Sequence, residues 1–170
     1  ALWAIALYNG LVRKRNMVEE AWSGIDVQLK RRTDLIPNLV STVKGYATHE
    51  QSTLEEVVQL RGQAQNTQGV AETAQAQGLL GAALGRLFAL AESYPDLKAN
   101  TTFIQLQRTL EEIEEQIQLA RRYYNGAVRN LNIAVESFPS NLIASRFGFS
   151  KAEFFELEST DERIVPKVTF

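Results

Sequence analysis

Glu111, Glu112, Glu114 and Glu115 are the densest set of potential metal-ligating side chains in this chain. Helical bundles that hold a pair of metal ions do so with inward-facing carboxylates and Glu-x-x-His pairs, so such a cluster raises the question of metal chemistry. Here the inward positions are Leu110, Ile113 and Ile117, which leaves all four carboxylates flanking or opposing an apolar seam. No Glu-x-x-His pair exists, because His49 is the single histidine. The glutamates read as a solvated face, and neither a metal nor any other cofactor is expected.

One other place could do acid–base work. His49 stands next to Glu50 and close to Tyr46, and a bundle pocket around these three would make the chain a small-ligand binder or an enzyme. Against that alternative, His49 has no second acid or histidine at ligand spacing and reads as a surface residue. There is no cysteine, which excludes disulfides, thiolate metal sites and cysteine nucleophiles. Gly-x-Ser-x-Gly, phosphate-cradling glycine loops and His-Glu-x-x-His are all absent. No catalytic residue is assigned. The basic triplets Arg13-Lys14-Arg15 and Lys30-Arg31-Arg32 are too short, and too diluted by acids in a chain of net charge −2, to mark a nucleic-acid partner.

What would have to position any site is a set of long helices. In steps of three and four, Phe103, Leu106, Leu110, Ile113, Ile117, Ala120, Tyr124, Ala127, Leu131, Ala134 and Phe138 form one seam, which predicts a helix from about Asn100 to Ser137. The same count from the start gives Leu11, Arg15, Val18, Trp22, Ile25, Leu29, Arg32, Ile36, Leu39, Val43, Tyr46, Glu50, Thr53 and Val57. Seams with this period are buried by helices that pack nearly parallel with a left-handed crossing, as in coiled coils and four-helix bundles. The fold class is therefore all-α: an antiparallel up-down four-helix bundle of long helices, with a short C-terminal tail packed on it. A chain of 170 residues suits one such core.

Pro37 lies inside the first seam. The seam keeps its phase across the proline, which argues for one kinked helix, but a second helix from about Val70 to Ser93 returns only ~36 Å and could cover only part of so long a partner. A corner near Thr33 gives four helices of comparable length and is the expected arrangement. Arg32 then sits at a helix end, where its side chain reaches water, whereas Glu50 lies mid-helix and is either buried and paired or exposed. Residues 62–69 read as a polar loop, Tyr94-Pro95-Asp96 as a helix stop and Asn100 as a cap. The expected divisions are 1–8, an apolar start; 9–139, the bundle; and 140–170, a tail with a short helical piece.

Ala1 to Tyr8 is apolar and uncharged and is followed by Arg13-Lys14-Arg15. It is either the first turns of a bundle helix or the end of a membrane helix, with Trp3 and Tyr8 at headgroup level and Arg13, Lys14 and Arg15 just beyond. A resemblance bears on that choice. Tyr8-Asn9-Gly10-Leu11-Val12-Arg13, Glu20-Ala21-Trp22-Ser23-Gly24-Ile25-Asp26-Val27-Gln28-Leu29-Lys30-Arg31-Arg32, Asp34-Leu35-Ile36-Pro37-Asn38-Leu39-Val40, Val43-Lys44-Gly45-Tyr46-Ala47 and His49-Glu50 are similar to the LemA family of bacterial membrane-anchored helical proteins. So are Tyr94-Pro95-Asp96-Leu97-Lys98-Ala99-Asn100, Tyr124-Asn125, Phe138-Pro139-Ser140-Asn141, Phe154-Phe155 and Pro166-Lys167-Val168-Thr169-Phe170.

The resemblance implies a compact helical bundle and a single N-terminal membrane helix, of which residues 1–8 would be the remnant. It supplies no catalytic residue. It implies a non-enzymatic scaffold or adaptor, anchored in the bilayer by its N-terminus, with membrane or membrane-associated proteins as partners. The basic triplet next to the apolar start places the bundle on the cytoplasmic side. In the corner arrangement, Arg31, Asp34, Asn38, Lys98 and Asn100 meet at the end far from the membrane and form the candidate partner-binding surface.

Overall fold

The computed structural model describes residues 1–156; the closing Pro166 to Phe170 and the later part of the tail lie outside the described residues. The described chain is all helical: α1 is Leu2–Lys44, α2 Gln51–Gln65, α3 Val70–Ala91, α4 Pro95–Lys98, α5 Thr101–Glu136 and α6 Ser140–Phe147. It divides into two compact units, one of residues 1–30 with 114–155 and one containing residues 31–113, and both α1 and α5 run through the two.

The expected corner at Thr33 is absent. α1 continues without a break through Thr33 and Pro37 to Lys44. A proline inside a helix leaves the carbonyl four residues earlier without its donor. That carbonyl belongs to Thr33, and Arg61 on α2 donates to it through Nε at 2.8 Å. The break falls later, over residues 45–50, where the N–H groups of Tyr46 and Ala47 both close on the Val43 carbonyl. There the seam also changes phase. Ala47 and Leu54 are buried, while Tyr46 is exposed and Thr53 only half-buried.

In the unit containing residues 31–113, α2 and α3 form a helical hairpin. Gly69 at φ 81°, a conformation that glycine adopts freely, begins α3, and the Thr73 hydroxyl donates to the Gly69 carbonyl at 2.7 Å. Ile36, Leu39, Val57, Leu80, Leu87 and Leu97 are all 0% exposed and make the core. Each such side chain contributes ~1.5–3 kcal/mol by leaving water. Phe88 and Phe103 pack with ring centroids 6.0 Å apart. Asn100 caps α5, its Oδ1 accepting the Phe103 N–H at 3.0 Å.

In the other unit Leu11, Val18, Ala21, Ile25 and Leu29 of α1 are buried, as are Ile117, Tyr124, Ala127, Val128 and Leu131 of α5. On α5 the seam residues from Phe103 to Leu131 are buried or half-buried, and the exception is at its end. The helix stops at Glu136, so Phe138 leaves the helical phase and is 79% exposed rather than buried. Beyond it, α6 ends at Gly148, whose φ of 73° lets the Phe149 N–H reach back to the Ala144 carbonyl at 2.9 Å. This turn sends residues 149–156 along α5. Asn132 accepts from the Ala152 N–H at 2.8 Å and donates to its carbonyl at 3.1 Å, and Asn125 does the same for Phe155 at 2.9 and 3.1 Å. Seven helical residues rise about as far as three extended ones, ~10 Å, so the two asparagines are spaced to hold this segment as a neighbouring strand would. Phe155, 0% exposed, closes against Trp22 at 5.7 Å.

Candidate functional site

Two regions contain the residues that the sequence singles out. The first is the start of α1, in the unit built from residues 1–30 and 114–155. Leu2 is 85% exposed and Trp3 and Ile5 are each 55% exposed, so this turn of helix stands clear of the packed core with apolar side chains outward. Tyr8 is different. Its ring meets Phe147 at 5.0 Å and Phe149 at 5.7 Å, edge to face. Arg13 is exposed and Lys14 half-buried, while the Arg15 guanidinium lies 4.7 Å over the Phe149 ring. Trp3 and Arg13 thus face outward, and Tyr8 and Arg15 clamp the turn after α6. Among the described residues no helix is long and apolar enough to cross a membrane.

The second region lies among residues 31–113. Because α1 is unbroken, Arg31, Asp34 and Asn38 follow one another at helical spacing along one exposed face of it. Lys98 and Asn100 sit elsewhere, at the junction of α4 and α5. There the Lys98 ammonium pairs with Glu92, and the Asn100 Nδ2 donates to the Tyr46 hydroxyl at 2.9 Å. Arg31 is ~20 Å along the helix from Lys44, so the five residues do not converge at a single helix end as the corner arrangement requires.

Tyr46 and His49 are exposed, and Glu50 is half-buried and accepts the Tyr94 hydroxyl at 3.1 Å. Partial burial, and then the hydrogen bond and charge of Glu50, push the Tyr94 phenol above its ordinary range. These groups tie the break after α1 to the segments around α4. Of the glutamate cluster, Glu111, Glu112 and Glu115 are exposed and Glu114 is half-buried. Among the described residues no three histidine, aspartate or glutamate side chains are grouped closely enough to hold a metal ion.

Arg32 overturns its sequence expectation. It is mid-helix and 2% exposed, and its Nη2 donates to the Gln77 side chain at 2.6 Å and to the Gln77 carbonyl at 2.8 Å. Gly81 packs beside it, where a Cβ would stand 3.4 Å from Nη1. The seam marked Arg32 as an inward position. Gln77, its buried partner in a weakly patterned Gln/Ala-rich segment, carries no sequence signal of its own. Asn125 and Asn132, which hold the tail, carry one sequence signal, their seven-residue separation on one helix.

Fold and site together define an all-helical protein with an exposed apolar helix start, a buried arginine and a tail fastened by asparagines. The profile of the LemA family matches residues 21–170, and the chain belongs to that family. It is 29% identical over 175 residues to the magnetosome protein MamQ 2 of Paramagnetospirillum magneticum, an alignment covering 88% of this chain and 64% of the relative. It is 29% identical over 161 residues to the protein LemA of Metamycoplasma hominis, covering 90% and 72%. The magnetosome protein MamQ of Magnetospirillum gryphiswaldense is 25% identical over 174 residues, covering 87% and 64%. The chain thus spans a little under two thirds of the length of its magnetosome relatives.

Proposed function

We propose that this chain is a non-enzymatic helical scaffold held at a membrane by the start of α1, with the rest of the protein on the cytoplasmic side presenting helical surfaces to membrane or membrane-associated proteins. The observation that carries this reading is the polarity step along α1. Leu2, Trp3 and Ile5 face outward, every residue up to Tyr8 is uncharged, and Arg13, Lys14 and Arg15 follow at once. A helix apolar all round is at home in an apolar medium, an aromatic residue suits the headgroup boundary, and basic residues beside a membrane end resist translocation. The antiparallel up-down bundle is the scaffold in this reading. The candidate partner surface is the exposed α1 face of Arg31, Asp34 and Asn38, with Lys98 and Asn100 forming a separate patch. Relatives named as magnetosome proteins fit a role in membrane organisation.

Fractionation of native cells and protease treatment of spheroplasts test both halves of the proposal. The protein is expected in the membrane fraction and protected until the spheroplasts are lysed. Recovery in the soluble fraction would refute the attachment. Digestion from outside, with cytoplasmic control proteins surviving, would refute the orientation.

A further inference from the structure

The apolar start of α1 is not the only apolar surface at its end of the unit built from residues 1–30 and 114–155. Phe138 is 79% exposed, Leu142 55% and Phe147 57%. None of them is on loose chain. The Ser140 hydroxyl donates to the carbonyls of Ala134 at 2.6 Å and Ser137 at 2.9 Å, and the Asn141 N–H donates to the Ser137 carbonyl at 2.7 Å. α6 in turn is seated by Ala144, which packs with Leu11 and Phe149, and it is closed by the turn at Gly148. Several large apolar side chains held rigidly toward solvent mark a surface that something covers.

Position and charge say what covers it. α1 and α5 run antiparallel here, with Trp22 against Tyr124 and Leu11 clustered near Ala134 and Val135, so Phe138 comes level with the first turns of α1. Phe147 stands directly against Tyr8, at 5.0 Å. The turn and α6 therefore lie beside the base of the apolar stretch Leu2 to Leu7. In a chain of net charge −2, residues 1–18 and 136–151 hold five basic side chains (Arg13, Lys14, Arg15, Arg146 and Lys151) and one acid, Glu136, which is paired with Lys151. Apolar side chains beside an excess of cations fit the interface of an anionic bilayer.

We infer that α6 and the turn before it form a second membrane contact. Phe138, Leu142 and Phe147 enter the headgroup boundary of an anionic bilayer around the base of α1, and Arg13, Lys14 and Arg146 face lipid phosphates. The inference rests on the membrane attachment proposed above and deepens it, because attachment then depends on lipid charge and on a helix more than a hundred residues away in sequence.

The absence of cysteine allows single labels to separate the two ideas. Ile5→Cys, Leu142→Cys and, as a control on the body of α1, Ser23→Cys each carry an environment-sensitive fluorophore on the full chain. Vesicles of phosphatidylcholine mixed with phosphatidylglycerol should shift the emission of the first two labels to the blue and leave the third unchanged, and added salt should weaken the response. Replacing Phe138 and Leu142 together by serine should lower vesicle partitioning roughly tenfold or more, with helicity and thermal midpoint unchanged. A response at Ile5→Cys with none at Leu142→Cys overturns the inference and leaves the attachment standing. Silence at both overturns the attachment and the inference with it. A Leu142→Cys shift that appears without vesicles and grows with protein concentration assigns the surface to a second copy of the chain, and also overturns the inference.

Discussion

Arg61 Nε donates to the Thr33 carbonyl at 2.8 Å, the oxygen that Pro37 deprives of its helical partner. This contact joins α1 to α2 at the carbonyl inside α1 that the proline leaves without a helical donor, and Thr33 there is only 3% exposed. Arg61→Ala is expected to cost ~1–3 kcal/mol, the penalty for a buried carbonyl left short of a donor. Pro37→Ala restores an N–H to the helix, so in that background the Arg61 substitution should cost clearly less. Urea titration of the four proteins of this cycle reads the coupling, and additive costs would show that Arg61 serves another purpose.

Why the sequence predicts a corner where the structure has none follows from the same contact. Hydrophobic period reports which side of a helix is buried, and on that measure the buried faces of α1 from Leu11 to Val43 and of α5 from Phe103 to Leu131 are legible, with Arg15 exposed and Trp22, Leu106 and Ala120 only half-buried. Whether a proline breaks a helix depends on a donor from elsewhere in the chain, and no pattern local to Pro37 announces Arg61. The misplacement of the candidate partner residues is inherited from this. Arg31 and Asp34 come to a helix end only if α1 turns at Thr33. Phe138 belongs to the seam by period alone, and period does not show that α5 ends at Glu136.

Arg32 and Gln77 give a second test. With Arg32 2% exposed, Gln77→Ala removes the side-chain acceptor of a buried cation while leaving the backbone one, and is expected to cost ~1.5–3 kcal/mol. Thermal or urea unfolding measures it. A loss below ~1 kcal/mol, the scale of an exposed ion pair, would mean that the guanidinium finds water or other partners readily.

The tail should release as a unit. Asn125→Ala and Asn132→Ala each remove a side chain that both donates to and accepts from the backbone, and each should cost ~1–3 kcal/mol. Trp22 stands 5.7 Å from Phe155, so its fluorescence reports the event directly. The Trp22 emission of Asn125→Ala should shift to the red at lower denaturant than the loss of helicity. Coincident transitions would mean that the segment and α5 unfold together.

Alkaline pH acts on the same contact. The Tyr124 hydroxyl donates to the Glu153 carbonyl at 2.7 Å, and burial first, then the Glu153 carboxylate, push its phenol up to about 12. A pKa raised on folding means that the neutral form is favoured in the folded state. The contribution is complete below the unfolded value of ~10 and is lost as pH rises through about 12. Absorbance of phenolate against pH should show a late-titrating tyrosine that is missing in Tyr124→Phe, with the Trp22 signal changing in the same window. Titration of every tyrosine near 10 would contradict the buried hydroxyl.

Attachment to a membrane through the start of α1 is the claim on which the proposed role depends, and flotation measures it with the chain alone. The protein is mixed with phosphatidylcholine–phosphatidylglycerol vesicles beneath a density gradient, beside a variant in which Leu2, Trp3 and Ile5 are all serine. Those three side chains are exposed, so the variant should keep its helicity. The unaltered protein is expected to rise with the vesicles and the variant to stay in the load. Unaltered protein remaining at the bottom, or a variant that rises equally well, would contradict attachment by this end.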